Sequence, residues 1–338
     1  MSLDRGIAVA KIFAESFGCS ANFADYEAAM GLLSEAGFQP TKMLEDSDLL
    51  MVFTCVVKTP TERKMIRRIR QLQALGKPLV VAGCMPKAEQ ALIVEIAPNA
   101  SLMGPNSIFQ VVEVVEETLK GVKVQALEDM HVPKTCLPRA RLNPVIHISQ
   151  ISSGCLGDCS YCIVKLARGK LFSYPLEAIV EDASKAVSSG AKEIWVTSQD
   201  TAAYNSDGAR LPDLLDALCT IEGKFCIRVG MMTPNTALLI LDDLVEVFKK
   251  NKVFKFLHLP VQSGNEEILK RMNRRYCTDN FSHIVTRFRE EVPEISLSTD
   301  VICGFPGETG EQFKDSLRLV EEVKPDVVNI SRFGPRPG

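Results

Sequence analysis

The sequence predicts an α/β protein in two consecutive parts: a doubly wound parallel sheet over residues 1–121 and an open (β/α)6 barrel over residues 145–338. Three observations predict it. Short apolar runs alternate with helical patterns along nearly the whole chain, as in parallel sheets covered on both faces. The stretch from Gly121 to Pro144 loses that pattern and carries Pro133, Pro138 and Pro144, which marks residues 122–144 as a linker. Beyond it, six further strands follow in strand–helix order. At 338 residues the chain has room for two such units, and 46% apolar residues suffice for two cores.

In the first part, Ile7–Ala14 reads as a strand and Asp25–Ala36 as a helix ended by Gly37. Leu49–Thr54 is an unbroken apolar run of strand length. Thr61–Leu75 has helical periodicity, with Gly76 placed to stop it. Leu79–Ala82 is a third strand, Lys87–Ile96 a helix, Ala100–Met103 a short strand, and Ile108–Lys120 a helix closed by Gly121. In the second part the strands fall at Val145–Ile151, Glu193–Thr197, Phe225–Val229, Phe254–Leu259, Ile295–Val301 and Val327–Ser331. The helices between them are Leu176–Ser188, Leu211–Ile221, Thr236–Lys249, Glu266–Arg271 with Asn280–Glu291, and Glu311–Val323.

A net charge of −3 does not announce a nucleic-acid binder, so charge must be judged locally. No signal peptide precedes the first strand and no segment reaches membrane-spanning length, which points to the cytoplasm. Eleven cysteines is a high count for a reducing compartment, where clustered thiols more often mean metal or redox chemistry than disulfides.

Three of them, Cys155, Cys159 and Cys162, form a C-x3-C-x2-C loop directly after the first barrel strand. Cubane iron–sulfur clusters are held by cysteine thiolates. Three ligands leave one iron open, and an open iron is a place for chemistry. Gly154 and Gly157 give the loop freedom to wrap a cluster, and the carboxyl ends of barrel strands are where active sites lie. A zinc site is the competing reading, but zinc usually recruits a fourth Cys or His nearby, and His147 would point off its strand. A second set, Cys19, Cys55 and Cys84, is dispersed in sequence. Each residue follows the carboxyl end of one of the first three strands, and those ends line a single crevice in a parallel sheet. Any one of them alone reads as a small buried hydrophobe; all three at equivalent strand ends read as a second three-cysteine cluster site.

The loop with Tyr161 before its last cysteine resembles the signature of the radical S-adenosylmethionine superfamily. The wider chain is similar to the methylthiotransferases of that superfamily. The motifs that carry this are Gly18-Cys19-Ser-Ala-Asn22 with Asp25, Gly83-Cys84-Met-Pro86, Cys162-Ile163-Val164 with Ala167-Arg168-Gly169, and Ser198-Gln199-Asp200 with Tyr204. Leu259 to Gly264, Asp300 to Glu308 and Phe333 to Gly338 add to them. Lys165, together with Thr54 to Lys58 and Thr61-Glu62, makes it most like the archaeal and eukaryotic branch. Phe53 departs from the family, which commonly has asparagine there. The chain stops at Gly338 inside a motif the family continues, so the family's tRNA-gripping TRAM module is expected to be missing.

The resemblance implies two 4Fe–4S clusters and S-adenosyl-L-methionine as cofactors. The substrate would be N6-threonylcarbamoyladenosine at position 37 of tRNA. The barrel cluster would cleave S-adenosylmethionine to a radical that takes hydrogen from C2 of the base, and the cluster on Cys19, Cys55 and Cys84 would deliver sulfur. Tyr161, Gln199, Asp200, Gln262, Gly304 and Glu308 are expected around the cofactor. Arg168 is expected to bind a carboxylate or phosphate through its planar fork. Arg67 and Arg68, in the basic run Arg63–Arg70, are candidates for RNA phosphates, as is Lys270–Arg275. An electron-donor protein is implied but not identified by any motif. Isopentenyl-adenosine of tRNA or an aspartate of a ribosomal protein are the alternative targets of the same chemistry; a zinc-stabilised RNA-binding protein is the non-catalytic alternative. Cys136, Cys219, Cys226, Cys277 and Cys303 lack ligand-like spacing, and His258 is read as packed or site-lining.

Overall fold

The computed structural model describes residues 10–57 and 59–337. The first three residues of the strand expected at Ile7–Ala14, and the motif residues Lys58 and Gly338, lie outside them. The first part contains β1 (Lys11–Ser16), α1 (Ser20–Glu35), β2 (Gln39–Thr41), β3 (Leu49–Thr54), α2 (Thr59–Gln73), β4 (Leu79–Gly83), α3 (Cys84–Ala88), α4 (Gln90–Ile96), β5 (Ser101–Met103), α5 (Val111–Leu119) and β6 (Gln125–Ala126). Its strands form one parallel sheet in the order β2-β1-β3-β4-β5-β6. The edge strands β2 and β6 carry no sequence pattern strong enough to be anticipated, and β6 lies within the stretch read as linker.

The central strands show why this sheet forms. All six residues of β3 are buried. Leu50 and Val52 pack on one face with Met65, Ile69 and Leu72 of α2. Leu49, Met51 and Phe53 pack on the other with Ala28, Ala29 and Leu33 of α1. A strand apolar on both faces stays buried only between two helical layers. Each fully buried Leu, Val or Met contributes roughly 1.5–3 kcal/mol. The expected Lys87–Ile96 helix is broken at Glu89, which leaves helical geometry at φ −138° and ψ 43°.

The second part begins with β7 (Ile146–Gln150), β8 (Ser152–Ser153), α6 (Val164–Arg168), β9 (Phe172–Ser173), α7 (Leu176–Ser188) and β10 (Glu193–Thr197). It continues through β11 (Asn205–Ser206), β12 (Ala209–Arg210), α8 (Leu211–Thr220), β13 (Cys226–Val229), α9 (Pro234–Leu238), α10 (Leu241–Phe248) and β14 (Phe256–His258). It ends with α11 (Glu266–Arg271), α12 (Thr278–Glu291), β15 (Ser296–Cys303), α13 (Gly310–Val323) and β16 (Val327–Arg332). Strands β7, β10 and β13 pair in parallel, as do β14, β15 and β16. The two triplets are stitched by a parallel bridge between Ile227 and Val253 and by the Phe254 N–H donating to the Ile227 carbonyl at 2.9 Å. Among the described residues β7 and β16 do not pair, so the barrel stays open. Its core runs from Ile194 and Val196 through Ile227, Val229, Leu257 and Leu297 to the surrounding helices. The expected Thr236–Lys249 helix splits at Ile240, whose side chain is buried in that core. Among the described residues no helix is long and apolar enough to cross a membrane.

The segment between the two parts is packed rather than loose. The Ala140 N–H donates to the Glu27 carbonyl at 2.9 Å, and the Leu142 N–H to Glu27 Oε1 at 2.9 Å. The contact depends on Gly31 of α1, where an added Cβ would stand 2.1 Å from the Pro138 oxygen. Gly31→Ala is therefore expected to destabilise the fold by about 1–3 kcal/mol, the usual cost of overpacking, despite alanine's better helix propensity. Urea unfolding checks it: a lower midpoint at unchanged slope is the expected result.

Candidate active site at the junction of the two sheets

The register of the first sheet brings Cys19, Cys55 and Cys84 together. Ser16 of β1 is level with Phe53 of β3, and Thr54 with Gly83 of β4, so the three chains leave the sheet side by side. Cys19 caps α1, Cys55 follows β3, and Cys84 opens α3. Glycines are required at two exits. At Gly18 (φ +114°) a Cβ would stand 2.9 Å from the Cys55 sulfur, and at Gly83 (φ +91°) 2.6 Å from the Thr54 oxygen. Cys55 and Cys84 are buried, and Cys19 is exposed. Burial, with Cys19 and Cys84 beside it, pushes the Cys55 thiol up to about 11; burial likewise raises Cys84.

Cys155, Cys159 and Cys162 lie in a loop bracketed by the short antiparallel pair of β8 and β9. The Gly157 N–H donates to the Cys155 sulfur at 3.3 Å. A Cβ at Gly157 would lie 3.5 Å from the sulfurs of both Cys155 and Cys159, so the glycine keeps the space between them clear. The loop is braced from outside by the end of α11. The Ser160 N–H donates to the Met272 carbonyl at 3.1 Å, and the Asn273 side chain to the Asp158 carbonyl at 2.7 Å.

Among the described residues no three His, Cys, Asp or Glu side chains are gathered tightly enough to grip one metal ion. A cubane asks for a different arrangement, because each thiolate ligates a different iron and the sulfurs stand farther apart. Two all-thiol sets, one with Gly157 clearing the space between two of its sulfurs and the other with Gly18 keeping close to Cys55, fit that group.

Helix α6 joins the two sets. It starts two residues after Cys162, and Ile163 and Ala167 are buried in the same apolar cluster as Cys84, Met85 and Val56. Its last residue, Arg168, is 3% exposed and reaches Asp25 of α1 at 2.8 Å. Asp25 is fully buried and also accepts from Lys134 at 2.6 Å and from Gln150 at 3.0 Å. Burial alone would raise the Asp25 carboxyl, but Lys134 and Arg168 overcome it and hold the carboxyl below its usual value. Arg168, expected as a fork for a carboxylate or phosphate, has one nitrogen on the Asp25 carboxylate inside the protein, where α6 packs against α3.

The residues expected around the cofactor divide. Gln199 Oε1 and Glu308 Oε1 are buried without a partner, so both present free acceptors. Gln262 sits at φ +71°, fixed by its own N–H to the Asp300 carbonyl and by its carbonyl to the Ile302 N–H. The Gly304 N–H donates to Glu308 Oε2 at 2.6 Å, closing the turn after β15. Asp200 is already engaged: its carboxylate accepts from the Thr233 N–H and hydroxyl and from the Thr236 hydroxyl at 2.6–3.0 Å. It holds the β13 loop in place. The Tyr161 ring packs against Ile268, Met272 and Phe305.

The basic runs are also split by the fold. Arg68 forms a bidentate pair with Glu15 at 2.5 and 3.0 Å, which removes it from the free cations of α2. Arg63, Lys64, Arg67 and Arg70 are exposed. In the run Lys270–Arg275, Arg274 turns inward. Its guanidinium lies 5.6 Å from the ring centres of both Tyr161 and Tyr276, and its Nε is enclosed without a partner. Its charge acts on Cys155, Cys159 and Cys162. Sequence reading missed this role, since the contact joins distant segments and no spacing records it. His258 pairs with Asp300 at 2.8 Å inside the barrel. Arg336, beyond β16, pairs with Glu62 and donates to Thr59 Oγ1 at 3.2 Å, which returns the chain to the α2 start just past Cys55.

Residues 149–320 match the Radical SAM superfamily, and residues 11–104 match the Uncharacterized protein family UPF0004. The chain is 44% identical over 332 residues to a probable threonylcarbamoyladenosine tRNA methylthiotransferase of Pyrococcus horikoshii, across 97% of this chain and 78% of the relative. It is 39% identical over 340 residues to the threonylcarbamoyladenosine tRNA methylthiotransferase of Homo sapiens, across 98% and 58%. TsrM from Kitasatospora setae, a radical S-adenosylmethionine methyltransferase solved with cobalamin and a 4Fe–4S cluster, aligns with a TM-score of 0.67 at 14% identity, over 95% of this chain and 74% of that one. OxsB, a cobalamin-dependent S-adenosylmethionine radical enzyme, aligns at 0.68 and 13%, over 93% and 52%. These likenesses extend over both sheets and show a shared fold.

Removing the Asp25 carboxylate leaves Lys134 and Arg168 buried together without a counter-charge. Asp25→Ala is expected to cost about 3–5 kcal/mol of unfolding free energy. The double variant Asp25→Ala/Lys134→Met should recover part of that loss, which a double-mutant cycle in denaturant measures.

Proposed function

The chain belongs to the threonylcarbamoyladenosine tRNA methylthiotransferase family, and on that premise we propose that it converts N6-threonylcarbamoyladenosine at position 37 of tRNA to the 2-methylthio derivative. The observation that supports this most is the single short helix α6, which ties the loop of Cys155, Cys159 and Cys162 to the crevice of Cys19, Cys55 and Cys84. Two reactive centres that act on one carbon must face a common space, and α6 keeps them at a fixed separation.

In this reading Cys155, Cys159 and Cys162 hold one 4Fe–4S cluster, and Cys19, Cys55 and Cys84 hold the other. Bound there with S-adenosyl-L-methionine, these groups supply reductive cofactor cleavage, hydrogen abstraction at C2 of the base, and sulfur and methyl transfer. The protein's part is placement. Gln199 and Glu308 offer acceptors to the amino or hydroxyl groups of the cofactor. Gln262 and Gly304 shape the adenine side, and Tyr161 closes the pocket beside the loop. Asp200 sets the β13 loop. Loading either set requires the thiols to give up protons, and the charges of Arg168 and Arg274 favour that loss. tRNA is the macromolecular partner, with Arg67 on the exposed face of α2 as a phosphate contact. An electron-donor protein feeds the barrel cluster, and the cytoplasm is the compartment that tRNA substrates imply.

Anaerobic reconstitution should load about eight irons per chain with matching sulfide, two cubanes in all; near-zero iron with bound zinc would remove the reading. Cys155→Ala should abolish S-adenosylmethionine cleavage, whereas Cys19→Ala should keep cleavage and lose sulfur insertion. Unimpaired thiomethylation by the Cys19 variant would refute the second centre. Mass spectrometry of tRNA nucleosides identifies the substrate. Complementation of cells lacking the gene should restore the 2-methylthio mark on threonylcarbamoyladenosine, and restoration on isopentenyl-adenosine instead would overturn the substrate.

A further inference from the structure

Two buried cations stand beneath the crevice of Cys19, Cys55 and Cys84, and they share one carboxylate. Lys134 is 3% exposed and Arg168 is 3% exposed, while Asp25 between them is fully buried. Lys134 has its Nζ bound by Asp25 and by the Pro105 carbonyl at 2.6 Å. Arg168 has one nitrogen on Asp25, leaving donors of its planar fork free. Arg168 ends α6, which packs on α3, the helix that Cys84 opens, and Ala167 beside it is buried in the same cluster as Cys84. Two buried cations on one carboxylate leave this group with a net positive charge, on the side of the crevice where Cys84 stands. A buried charge in excess is costly unless an anion answers it.

We propose that Arg168 is a positioning residue for the N-terminal centre: it donates a charge-assisted hydrogen bond to sulfur at Cys84 and raises the reduction potential of the cluster held there. This rests on the two-cluster reading of the site. The cluster with three thiolates is the anion that balances the pocket. Hydrogen bonds to cluster sulfur and nearby net charge both set the potential, and partners outside the ligand shell orient the ligands. Arg168 reaches this place because it ends the helix that follows Cys162, so the barrel's own cluster loop supplies the cation for the other centre. Asp25 fixes the guanidinium in orientation, and the Asn106 side chain, which donates to the Arg168 carbonyl at 3.1 Å, fixes its backbone.

The test isolates one centre. A background variant with Cys155, Cys159 and Cys162 all changed to Ala is reconstituted anaerobically, and its iron content and EPR-monitored redox midpoint are measured. The background should hold about four irons per chain; if it holds none, the two-cluster reading fails independently of Arg168. Against that background, Arg168→Gln should keep the iron and move the midpoint to more negative potential. Arg168→Lys, which keeps the charge but loses the fork, should fall between. A midpoint unchanged in both variants, with iron retained, overturns the proposal. If Arg168→Gln loses its iron, Arg168→Lys decides: a midpoint more negative than the parental one supports the role, and a parental midpoint or loss of iron there as well shows a merely structural residue.

Discussion

Everything at the junction of the two sheets depends on one buried carboxylate. Asp25 projects from α1 into a space closed by the linker, by β7 and by α6, and it receives a donor from each: Lys134, Gln150 and Arg168. A carboxylate without water must be matched by donors or cations nearby. Each of these donors comes from a different segment, so satisfying Asp25 fixes the relative position of all of them.

The consequence reaches both cysteine sets. On one side, α1 begins at Cys19, so anchoring α1 anchors the first thiol of the crevice. On the other, α6 follows Cys162 and buries Ala167 beside Cys84. The outer edge of the junction is held separately, by Arg336 on Glu62 and Thr59 at the start of α2. The crevice is thereby braced from two directions by arginines, one before and one after the barrel strands that separate them. The barrel loop has an inward cation of its own in Arg274, supported by two tyrosine faces. Each three-thiol set has a guanidinium beside it, which suits sites that must hold several thiolates at once.

Much of this was legible. The apolar run Leu49–Thr54 reads as a strand buried on both faces because nothing in it tolerates water. The strand ends preceding Cys19 and Cys84 are marked by Gly18 and Gly83, whose positive φ angles the structure requires. Helix breaks at Glu89 and Ile240 left no trace, since neither position carries Gly or Pro. The strands β2 and β6 are too short to show a period.

The sequence by itself determined which residues carry the chemistry. Cysteine spacing and the alternation of strand and helix are local properties, written in neighbouring residues. What only the tertiary structure decided is what surrounds the cysteines. Arg274 sits in a basic stretch that looks solvent-facing, Arg168 looks free to bind an anion, Arg68 looks free, and Asp200 looks available to a ligand. Each is reassigned by a partner from a distant segment: Asp25 for Arg168, Tyr161 for Arg274, Glu15 for Arg68, Thr233 and Thr236 for Asp200. Charge pairing in a protein interior depends on which surfaces are pressed together and dried, and periodicity along one chain does not encode that.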